Sequence, residues 1–144
     1  MDSPIRVLLV DDEERFVLNL AKLLRGRGFE VSTAFDGASG MAAVEKSEGV
    51  DVVLLDVKMP GMDGIETLRQ IRIMRPLVEV VLLTGHASVD SGIEGMKLGA
   101  FDYLMKPIEL EPLLEKLGDA YEKKRLHQDK IEQAQMKRHL SMPS

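Results

Sequence analysis

Five polar side chains in this sequence stand at the ends of short apolar segments. They are Asp11, Asp12, Asp56, Thr84 and Lys106. Asp56 is the clearest case, because it ends the uninterrupted apolar run at 52–55. If the chain brings the three acids together, they repel one another and raise one another's pKa unless a cation compensates. These residue types therefore predict a site that binds a cation.

The residue types also indicate which cation and which chemistry to expect. Carboxylate oxygens without histidine or cysteine suit a hard ion such as Mg²⁺, which proteins usually hold through one or two carboxylates together with waters and phosphate oxygens. The hydroxyl of Thr84 and the ammonium of Lys106 would bind the other oxygens of a phosphoryl group. This set suits phosphoryl transfer, in which positioning and charge neutralisation do most of the catalysis. Asp56 is then free to act as the nucleophile and to form an acyl phosphate.

Each of these residues also has a simpler interpretation. The acids at 11–14 favour a helix N-terminus through capping and the helix dipole. Thr84 alone fits a strand-end hydroxyl, and Lys106 alone fits a surface lysine whose stem lies along apolar residues. Tyr103 alone fits a half-buried aromatic side chain. These interpretations do not predict that such residues occur together at the ends of several strands.

The site residues can meet only if their segments lie side by side in one sheet. Strand-like segments are predicted at 5–10, 29–34, 52–56, 78–84 and 103–105. Helical apolar spacing follows each of them, in segments from the acids at 11–14 to Gly26, at 38–48, at 64–75, at 89–98 and from about residue 109. This alternation predicts an α/β, flavodoxin-like doubly wound fold with five parallel strands in the order 2-1-3-4-5 and five helices. In such a sheet the carboxyl ends of all strands share one edge.

Composition narrows the class of protein further. The chain has 144 residues and a net charge of -5, which argues against direct nucleic-acid binding through a basic surface. It contains no cysteine, so disulfides and cysteine-ligated metals are excluded and a reducing cytoplasm is favoured. No basic segment precedes an apolar one at the N-terminus, and no apolar stretch approaches the length of a bilayer span. We therefore expect a cytoplasmic protein without a membrane partner.

The length fits one domain over residues 1–121, followed by a segment of different character. From Glu122 onward the apolar spacing decays, and the apolar residues at 126, 131, 136 and 140 do not follow a sustained heptad. We predict that 122–144 is a helical extension or linker that frays into a partly disordered tail. A solvated linker explains this pattern better than a dimerising coiled coil does.

Four segments of the chain resemble the receiver domain of bacterial two-component response regulators. They are Val-Leu-Leu-Val-Asp-Asp-Glu at 7–13, the stretch from Asp51 to Gly64, Leu-Leu-Thr-Gly-His-Ala at 82–87, and Gly-Ala-Phe-Asp-Tyr-Leu-Met-Lys-Pro at 99–107. The order, spacing and identity of the matching residues agree over about residues 4–121. The resemblance implies a phosphorelay protein in which Asp56 accepts a phosphoryl group from a sensor histidine kinase, a phosphotransfer protein or a small phosphodonor.

The resemblance also assigns roles to the other site residues. It implies that Asp12 binds Mg²⁺ directly and Asp11 through a water, with Asp56 and the backbone carbonyl of Lys58 as further ligands. Thr84 and Lys106 would contact the phosphoryl oxygens. Tyr103 would be the aromatic switch residue that turns inward when Thr84 moves. The Lys106–Pro107 peptide bond is expected to be cis. The residues two positions beyond Asp56 and Thr84, here Lys58 and His86, influence the lifetime of the phosphate in the family.

A signalling switch of this kind is a phosphoacceptor that assists its own phosphorylation and dephosphorylation rather than an enzyme in the usual sense. We expect the surface of helix 4, strand 5 and helix 5 to contact an output partner or domain, because Gly92 and Gly95 weaken helix 4 by about 1 kcal/mol each relative to alanine. A homodimer formed on phosphorylation is a further possibility.

Two other functions fit parts of the pattern. An FMN-binding, flavodoxin-like carrier lacks support, because no phosphate-binding loop rich in Ser, Thr or Gly follows the first strand. A Mg²⁺-dependent aspartyl phosphatase usually has an acid/base residue two positions after its nucleophile. Lys58 stands at that position here.

Overall fold

The five predicted strands form one parallel sheet in the computed structural model, which describes residues 3–47, 49–59, 61, 63–85 and 89–141. The strands are β1 (Arg6–Val10), β2 (Glu30–Ala34), β3 (Val52–Asp56), β4 (Glu79–Thr84) and β5 (Asp102–Met105). Their order in the sheet is β2-β1-β3-β4-β5, and every neighbouring pair is parallel. The predicted topology is therefore confirmed.

A helix follows each strand, and the helices cover both faces of the sheet. They are α1 (Glu14–Gly26), α2 (Gly37–Lys46), α3 (Gly64–Met74), α4 (Val89–Lys97) and α5 (Leu110–Ser141). The core on one face contains side chains of α2 and α3, and the core on the other face contains side chains of α1 and α5. This arrangement confirms the flavodoxin-like α/β fold. Among the described residues, no helix has both the length and the apolar character that crossing a bilayer requires.

The central strand β3 explains why the sheet needs helices on both faces. All five of its residues are buried. Val53 and Leu55 belong to the core beneath α2 and α3, whereas Val52 and Leu54 belong to the core beneath α1 and α5. Successive side chains of a strand point to opposite faces, so an unbroken apolar run is what a strand buried on both faces requires.

Two Asp-Gly pairs that the sequence marks as turns prove to be helix starts. The side chain of Asp36 accepts a hydrogen bond from the backbone N–H of Ser39 at 2.7 Å, which caps α2. The side chain of Asp63 accepts one from the backbone N–H of Glu66 at 2.9 Å, which caps α3. Each bond satisfies one N–H group that has no partner inside its helix. Pro60, which the sequence also predicts to lie in a turn because proline favours turns, lies outside the described residues.

Two details of the helices differ from the sequence pattern. Leu20, Leu23 and Leu24 recur at helical spacing in α1 and predict a common buried face, but Leu23 is 54% exposed, and Val17 and Ala21 are buried instead. Helix α5 is continuous to Ser141, whereas the pattern predicts a helix that frays within 122–144. The division of the chain into a domain over 1–121 and an extension over 122–144 stays a prediction.

The glycines of α4 have a packing role in addition to their effect on helix propensity. A Cβ atom placed on Gly95 would overlap the side chain of Leu82 in β4. A Cβ atom placed on Gly92 would lie 3.6 Å from the ring of Tyr103 and 3.9 Å from the Thr84 methyl group. Glycine at position 95 therefore allows α4 to lie close to β4, whereas an added Cβ at position 92 would make only ordinary van der Waals contacts. Gly95 thus weakens the helix at a point where it packs closely against the sheet.

Substitution of Gly64 and Gly118 by alanine should have opposite effects on stability. At Gly64 the new Cβ would overlap the backbone carbonyl oxygen of Asp56 and lie 2.5 Å from Val57 Cα, so Gly64→Ala should lower the free energy of unfolding by about 1–3 kcal/mol. Gly118 lies within α5 with no atom within 4 Å of the added Cβ, so Gly118→Ala should raise the free energy of unfolding by about 0.5–1 kcal/mol. Urea denaturation measures both changes, and equal effects of the two substitutions would contradict the close approach at Gly64.

Candidate functional site

The carboxyl ends of β1 and β3 bring three aspartates together. Asp11 and Asp12 follow the last residue of β1, and Asp56 is the last residue of β3. Because β1 and β3 are neighbours in the sheet, one carboxylate oxygen from each aspartate lies within 4.8 Å of the other two. Asp11 is 1% exposed and Asp56 is 6% exposed, whereas Asp12 faces solvent. The cluster is thus open on one side and could hold a cation that keeps several of its waters.

Lys106 crosses from β5 to these carboxylates. Its ammonium lies 2.7 Å from Asp11 Oδ2, 3.1 Å from Glu13 Oε1 and 3.8 Å from Asp56 Oδ1. The backbone N–H of Lys106 donates to the carbonyl oxygen of Thr84 at 2.8 Å, which holds the residue beside the end of β4. The peptide bond that follows it, Lys106–Pro107, is cis, as the sequence resemblance implied. The structure therefore places the ammonium of Lys106 within 4 Å of Asp11, Glu13 and Asp56.

Thr84 and Lys58 complete the edge of the sheet around Asp56. Asp56 is paired with Leu83 in the β3–β4 register, so Thr84 lies one position further toward the carboxyl edge. Thr84 is buried, whereas the side chain of Lys58 is exposed in the loop after β3. The N–H of Val57 donates to the Leu83 carbonyl at 3.0 Å and fixes the start of this loop. All five residues that the sequence singled out for chemistry thus lie on one edge.

The pKa of Asp56 is raised from its ordinary value to about 7. Burial is the largest cause, because it disfavours the charged form, and the negative charges of Asp11 and Asp12 act in the same direction. The ammonium of Lys106 and a hydrogen bond from the backbone N–H of Lys58 oppose this rise but do not cancel it. In the protein without a bound cation, the cluster therefore carries more negative charge than its own positive groups compensate.

Lys106 stays charged despite its partial burial. Burial alone lowers the pKa of a lysine, but the hydrogen bonds to Asp11 and Glu13 and the charges of Asp11 and Asp56 raise the pKa of Lys106 above its ordinary value. Removal of this ammonium would leave Asp11 buried without its cation. The lysine is therefore not the surface side chain that the simpler sequence interpretation describes.

Glu13 and Phe16 belong to the environment of Lys106, and the sequence did not predict this. Glu13 accepts a hydrogen bond from the ammonium, and the ring of Phe16 has its centroid 4.6 Å from Nζ, a distance at which a cation is attracted to the ring face. The helix-start interpretation of 11–14 is partly right, because Glu14 lies in the first turn of α1, but no side chain caps that helix. Asp11 Oδ1 instead accepts a hydrogen bond from the backbone N–H of Glu13, just before the helix, at 3.0 Å. The run of four acids was the available signal, but nothing in it separates Glu13 from Glu14.

Tyr103 lies near the site but does not point into it. Its side chain is 37% exposed on β5, with its ring beside Gly92 of α4. The Thr84 methyl group lies on the same side of Gly92. The tyrosine ring and the Thr84 methyl group therefore both lie beside Gly92 of α4. His86, the other position that the resemblance linked to phosphate lifetime, lies outside the described residues.

The raised pKa of Asp56 predicts that the metal-free protein loses stability as pH rises. A carboxyl that ionises near pH 3.8 in the unfolded chain and near 7 in the folded protein binds more protons when folded, so stability is highest below about pH 4 for this group and falls through about pH 7. Asp56→Asn removes this loss. In EDTA, which keeps the protein free of metal, the substitution should raise the free energy of unfolding by up to about 4 kcal/mol at about pH 8 and by much less at about pH 5.

Denaturation with urea across this pH range measures the difference. Asp63→Asn is the matched control, because asparagine caps a helix as well as aspartate does and Asp63 is exposed. A difference between Asp56→Asn and the parent that does not change with pH would contradict the shifted pKa.

Comparison with known proteins agrees with this geometry. A family model described as the response regulator receiver domain matches residues 7–118. The transcriptional regulatory protein ZraR of Salmonella typhimurium is 40% identical over 116 residues, which are 81% of this chain and 26% of that protein. The sensory transduction protein RegX3 of Mycolicibacterium smegmatis is 41% identical over 111 residues, which are 77% of this chain and 48% of that protein. The chain thus spans between about a quarter and a half of the length of these relatives.

Solved structures give the same result. A response regulator receiver domain protein from Clostridium thermocellum superposes with a TM-score of 0.82 at 36% identity, covering 85% of this chain and 98% of that one. A CheY-like receiver domain protein from Methanospirillum hungatei superposes with a TM-score of 0.81 at 31% identity, covering 87% of this chain and 99% of that one. The match in sequence, in fold and over most of the chain shows that this chain belongs to the response regulator receiver domain family.

Proposed function

We propose that this chain is a phosphorylation-activated signalling switch in which Asp56 accepts a phosphoryl group. The observation that carries the proposal is the position of Asp56 at the end of β3, where two other carboxylates and the ammonium of Lys106 surround it. In the transfer, a carboxylate oxygen of Asp56 bonds to phosphorus, and the bond between phosphorus and the donor atom breaks. The donor atom leaves with the bonding electrons.

The acidic cluster fits a bound Mg²⁺. Asp11, Asp12, Asp56 and the backbone carbonyl of Lys58 would hold it, and all of these donors are oxygens, as a hard cation prefers. Burial is the largest cause of the raised pKa of Asp56, and the negative charges of Asp11 and Asp12 add to it. These charges support the assignment, because a bound cation would compensate them. When bound, Mg²⁺ would neutralise negative charge on the carboxylates and on the phosphoryl oxygens. It would also favour the ionised form of Asp56, which is the nucleophilic form.

Lys106 and Thr84 would contact the phosphoryl group from the opposite side. The ammonium of Lys106 lies 3.8 Å from Asp56 Oδ1, close enough to meet an oxygen of a phosphoryl group attached there. The hydroxyl of Thr84 would donate to another of these oxygens. Both residues assist the chemistry without being consumed, so the chain assists its own phosphorylation and dephosphorylation.

Tyr103 is proposed to report the state of the site to the surface. A phosphoryl group adds about -1.5 to -2 charges at Asp56, and a movement of Thr84 toward it would leave space beside Gly92 for the tyrosine ring. Changing a regulator from 1:99 to 99:1 active requires about 5.5 kcal/mol of preference for the active state. Helix α4, with Gly92 and Gly95 against the sheet, is the element whose position is proposed to change.

The proposed output surface consists of α4, β5 and α5. Large apolar side chains are exposed on its first two elements. They are Ile93, Met96, Tyr103 and Met105. Exposed apolar side chains that cluster on one face favour a protein partner, and a second copy of this chain is one such partner. The names of the relatives, which are transcriptional and sensory regulators longer than this chain, are in keeping with an output domain or protein.

The proposed phosphoryl donor is a sensor histidine kinase or a phosphotransfer protein, as in the family to which the chain belongs. The proposed location is the cytoplasm, where such donors present their phosphorylated histidines. The net charge of -5 favours action through protein contacts rather than direct nucleic-acid binding. The alternatives of an FMN carrier and an aspartyl phosphatase receive no support from the site, where Lys58 stands at the acid/base position of the latter.

Incubation with acetyl phosphate and Mg²⁺ should add one phosphoryl group to the protein. Asp56→Asn should abolish the addition because it removes the nucleophile, and Lys106→Met should slow it because it removes the ammonium beside the phosphoryl oxygens. Intact mass spectrometry after quenching in acid follows the added mass. Asp63→Asn should be phosphorylated like the parent, and an Asp56→Asn protein that still gains the mass would overturn the assignment of the acceptor.

Phosphorylation should change amide exchange in α4 and β5 more than elsewhere. Binding of beryllofluoride, which mimics a phosphoryl group on an aspartate, should alter protection over 89–105 because α4 moves and Tyr103 turns inward. The pattern over β1 and β2 should stay the same. Hydrogen exchange measured by mass spectrometry gives the map, with Asp56→Asn plus beryllofluoride as the control. Unchanged protection over 89–105 in a protein that binds the mimic would count against this switch.

A further inference from the structure

Two buried acids lie at the opposite edge of the sheet from the candidate site, where β3 and β4 begin. Asp51 immediately precedes β3, and Glu79 is the first residue of β4. The side chain of Asp51 is 12% exposed and that of Glu79 is 1% exposed. Buried carboxylates are costly unless they are paired and hydrogen-bonded. The partners of these two acids therefore show which other elements are attached to this edge of the sheet.

Asp51 joins three parts of the chain. Its Oδ2 accepts a hydrogen bond from the backbone N–H of Arg6 at 2.9 Å, at the start of β1. Its Oδ1 lies 2.6 Å from the ammonium of Lys124, which belongs to α5 beyond residue 121. The side chain of Lys124 is only 15% exposed. This is a short, largely desolvated, charge-assisted hydrogen bond, which is the strong kind.

Glu79 forms a second link to the same helix. Its Oε1 has no hydrogen-bond partner and lies 3.6 Å from the ammonium of Lys123, while its Oε2 lies 3.9 Å from Arg72 of α3. Lys123 also lies over the ring of Phe101, 5.7 Å from its centroid. The two consecutive lysines of α5 therefore pair with the acids that begin two adjacent strands.

The spacing of residues along α5 shows why Lys124 reaches Asp51. The buried residues of this helix are Leu113, Leu117 and Ala120, and Lys124 is the next position on the same face. An apolar residue at this position would continue the buried face of the helix. The position instead holds Lys124, whose ammonium pairs with the buried Asp51. Beyond it, every residue from 130 to 141 is exposed. The contact of α5 with the sheet thus ends in the ion pair of Lys124 with Asp51 rather than in an apolar contact.

We propose that Lys124 and Lys123, with Asp51 and Glu79, form a clamp that fixes the first turn of the extension to the starts of β3 and β4. The docked part of α5 then ends at Lys124 instead of Ala120, and residues 130–141 leave the domain in one direction. The clamp lies at the other end of the same strands that carry Asp56 and Thr84. It does not depend on the proposed phosphorylation.

Hydrogen exchange tests the clamp directly in the 144-residue chain. Lys124→Met keeps the apolar stem but removes the ammonium, so amide exchange over 121–128 should accelerate by about tenfold or more, as expected for loss of a charge-assisted hydrogen bond. Asp51→Asn should have a similar effect, because its oxygen can still accept from Arg6 while its charge is lost. Lys124→Arg should retain most of the protection. Lys130→Met, the same substitution at an exposed lysine of the same helix, should change nothing.

Distance measurements test the fixed direction. The chain contains no cysteine, so Lys22→Cys and Gln135→Cys allow two spin labels to be attached, one on α1 and one on the extension. In the doubly labelled protein, electron-electron double resonance should give one narrow distribution of distances between the labels. Adding Lys130→Met should leave this distribution unchanged, whereas adding Lys124→Met should broaden it.

Two results would overturn the proposal. One is the absence of an effect of Lys124→Met, seen either as a distance distribution as narrow as that of the parent or as unchanged amide exchange over 121–128. The other is uniform acceleration of exchange over the whole sheet, which would show that the lysine supports global stability rather than a local clamp. Phosphorylation of Asp56 is measured separately in each variant, so a failure of the proposed function leaves this test unaffected.

Discussion

Mutual repulsion among three carboxylates is the constraint around which the carboxyl edge of this sheet is built. Asp11, Asp12 and Asp56 each present an oxygen within 4.8 Å of the others, and two of the three are buried. A stable fold needs positive charge at such a place. Lys106 supplies part of it, because its ammonium lies 2.7 Å from Asp11 Oδ2 and its backbone hydrogen bond to Thr84 holds the residue beside the end of β4. Burial and the charges of Asp11 and Asp12 still raise the pKa of Asp56 to about 7 despite this ammonium.

This imbalance is useful for a site that takes up a cation and an anionic group. A cluster fully neutralised by its own residues would have little affinity for Mg²⁺, and a cluster without Lys106 would repel a phosphoryl donor. In this protein the cluster is only partly neutralised, because Lys106 compensates some but not all of the charge of the carboxylates. In the proposed function, the cluster's net negative charge would attract a cation at the open side near Asp12, and the ammonium that lies 3.8 Å from Asp56 Oδ1 would meet the phosphoryl oxygens. Stability and function therefore make opposite demands on the same three carboxylates.

The two ends of β3 and β4 have different roles although both ends carry acids. At the carboxyl ends lie Asp56 and Thr84, the residues proposed to take part in phosphoryl transfer. At the amino ends, Asp51 and Glu79 are paired with Lys124 and Lys123 of the extended helix. The difference follows from what covers each end. Lys106 reaches over the carboxyl edge from the end of β5, whereas α5 brings two lysines to the amino ends of β3 and β4.

Sequence alone determined the topology and predicted which polar residues share the carboxyl edge of the sheet. The apolar runs, the polar residue at each strand end and the alternation of strands with helices are local patterns, and right-handed parallel connections leave few ways to assemble them. The same patterns identified Asp56, Thr84 and Lys106 before any contact was known. Helix ends were also close to prediction, apart from α5, whose continuation to Ser141 no apolar pattern indicated.

Only the tertiary structure decided which charges meet. Glu13 and Glu14 look alike in sequence, yet only Glu13 accepts a hydrogen bond from Lys106. Lys123 and Lys124 stand in a basic stretch that resembles a solvated helix, yet Lys124 is largely buried against Asp51. Gly92 and Gly95 could be recognised only as weak helix formers until Tyr103 and Leu82 were seen beside them. The physical reason is common to all of these cases: a charge or a missing side chain acquires its role from residues distant in sequence, and local spacing carries no information about them.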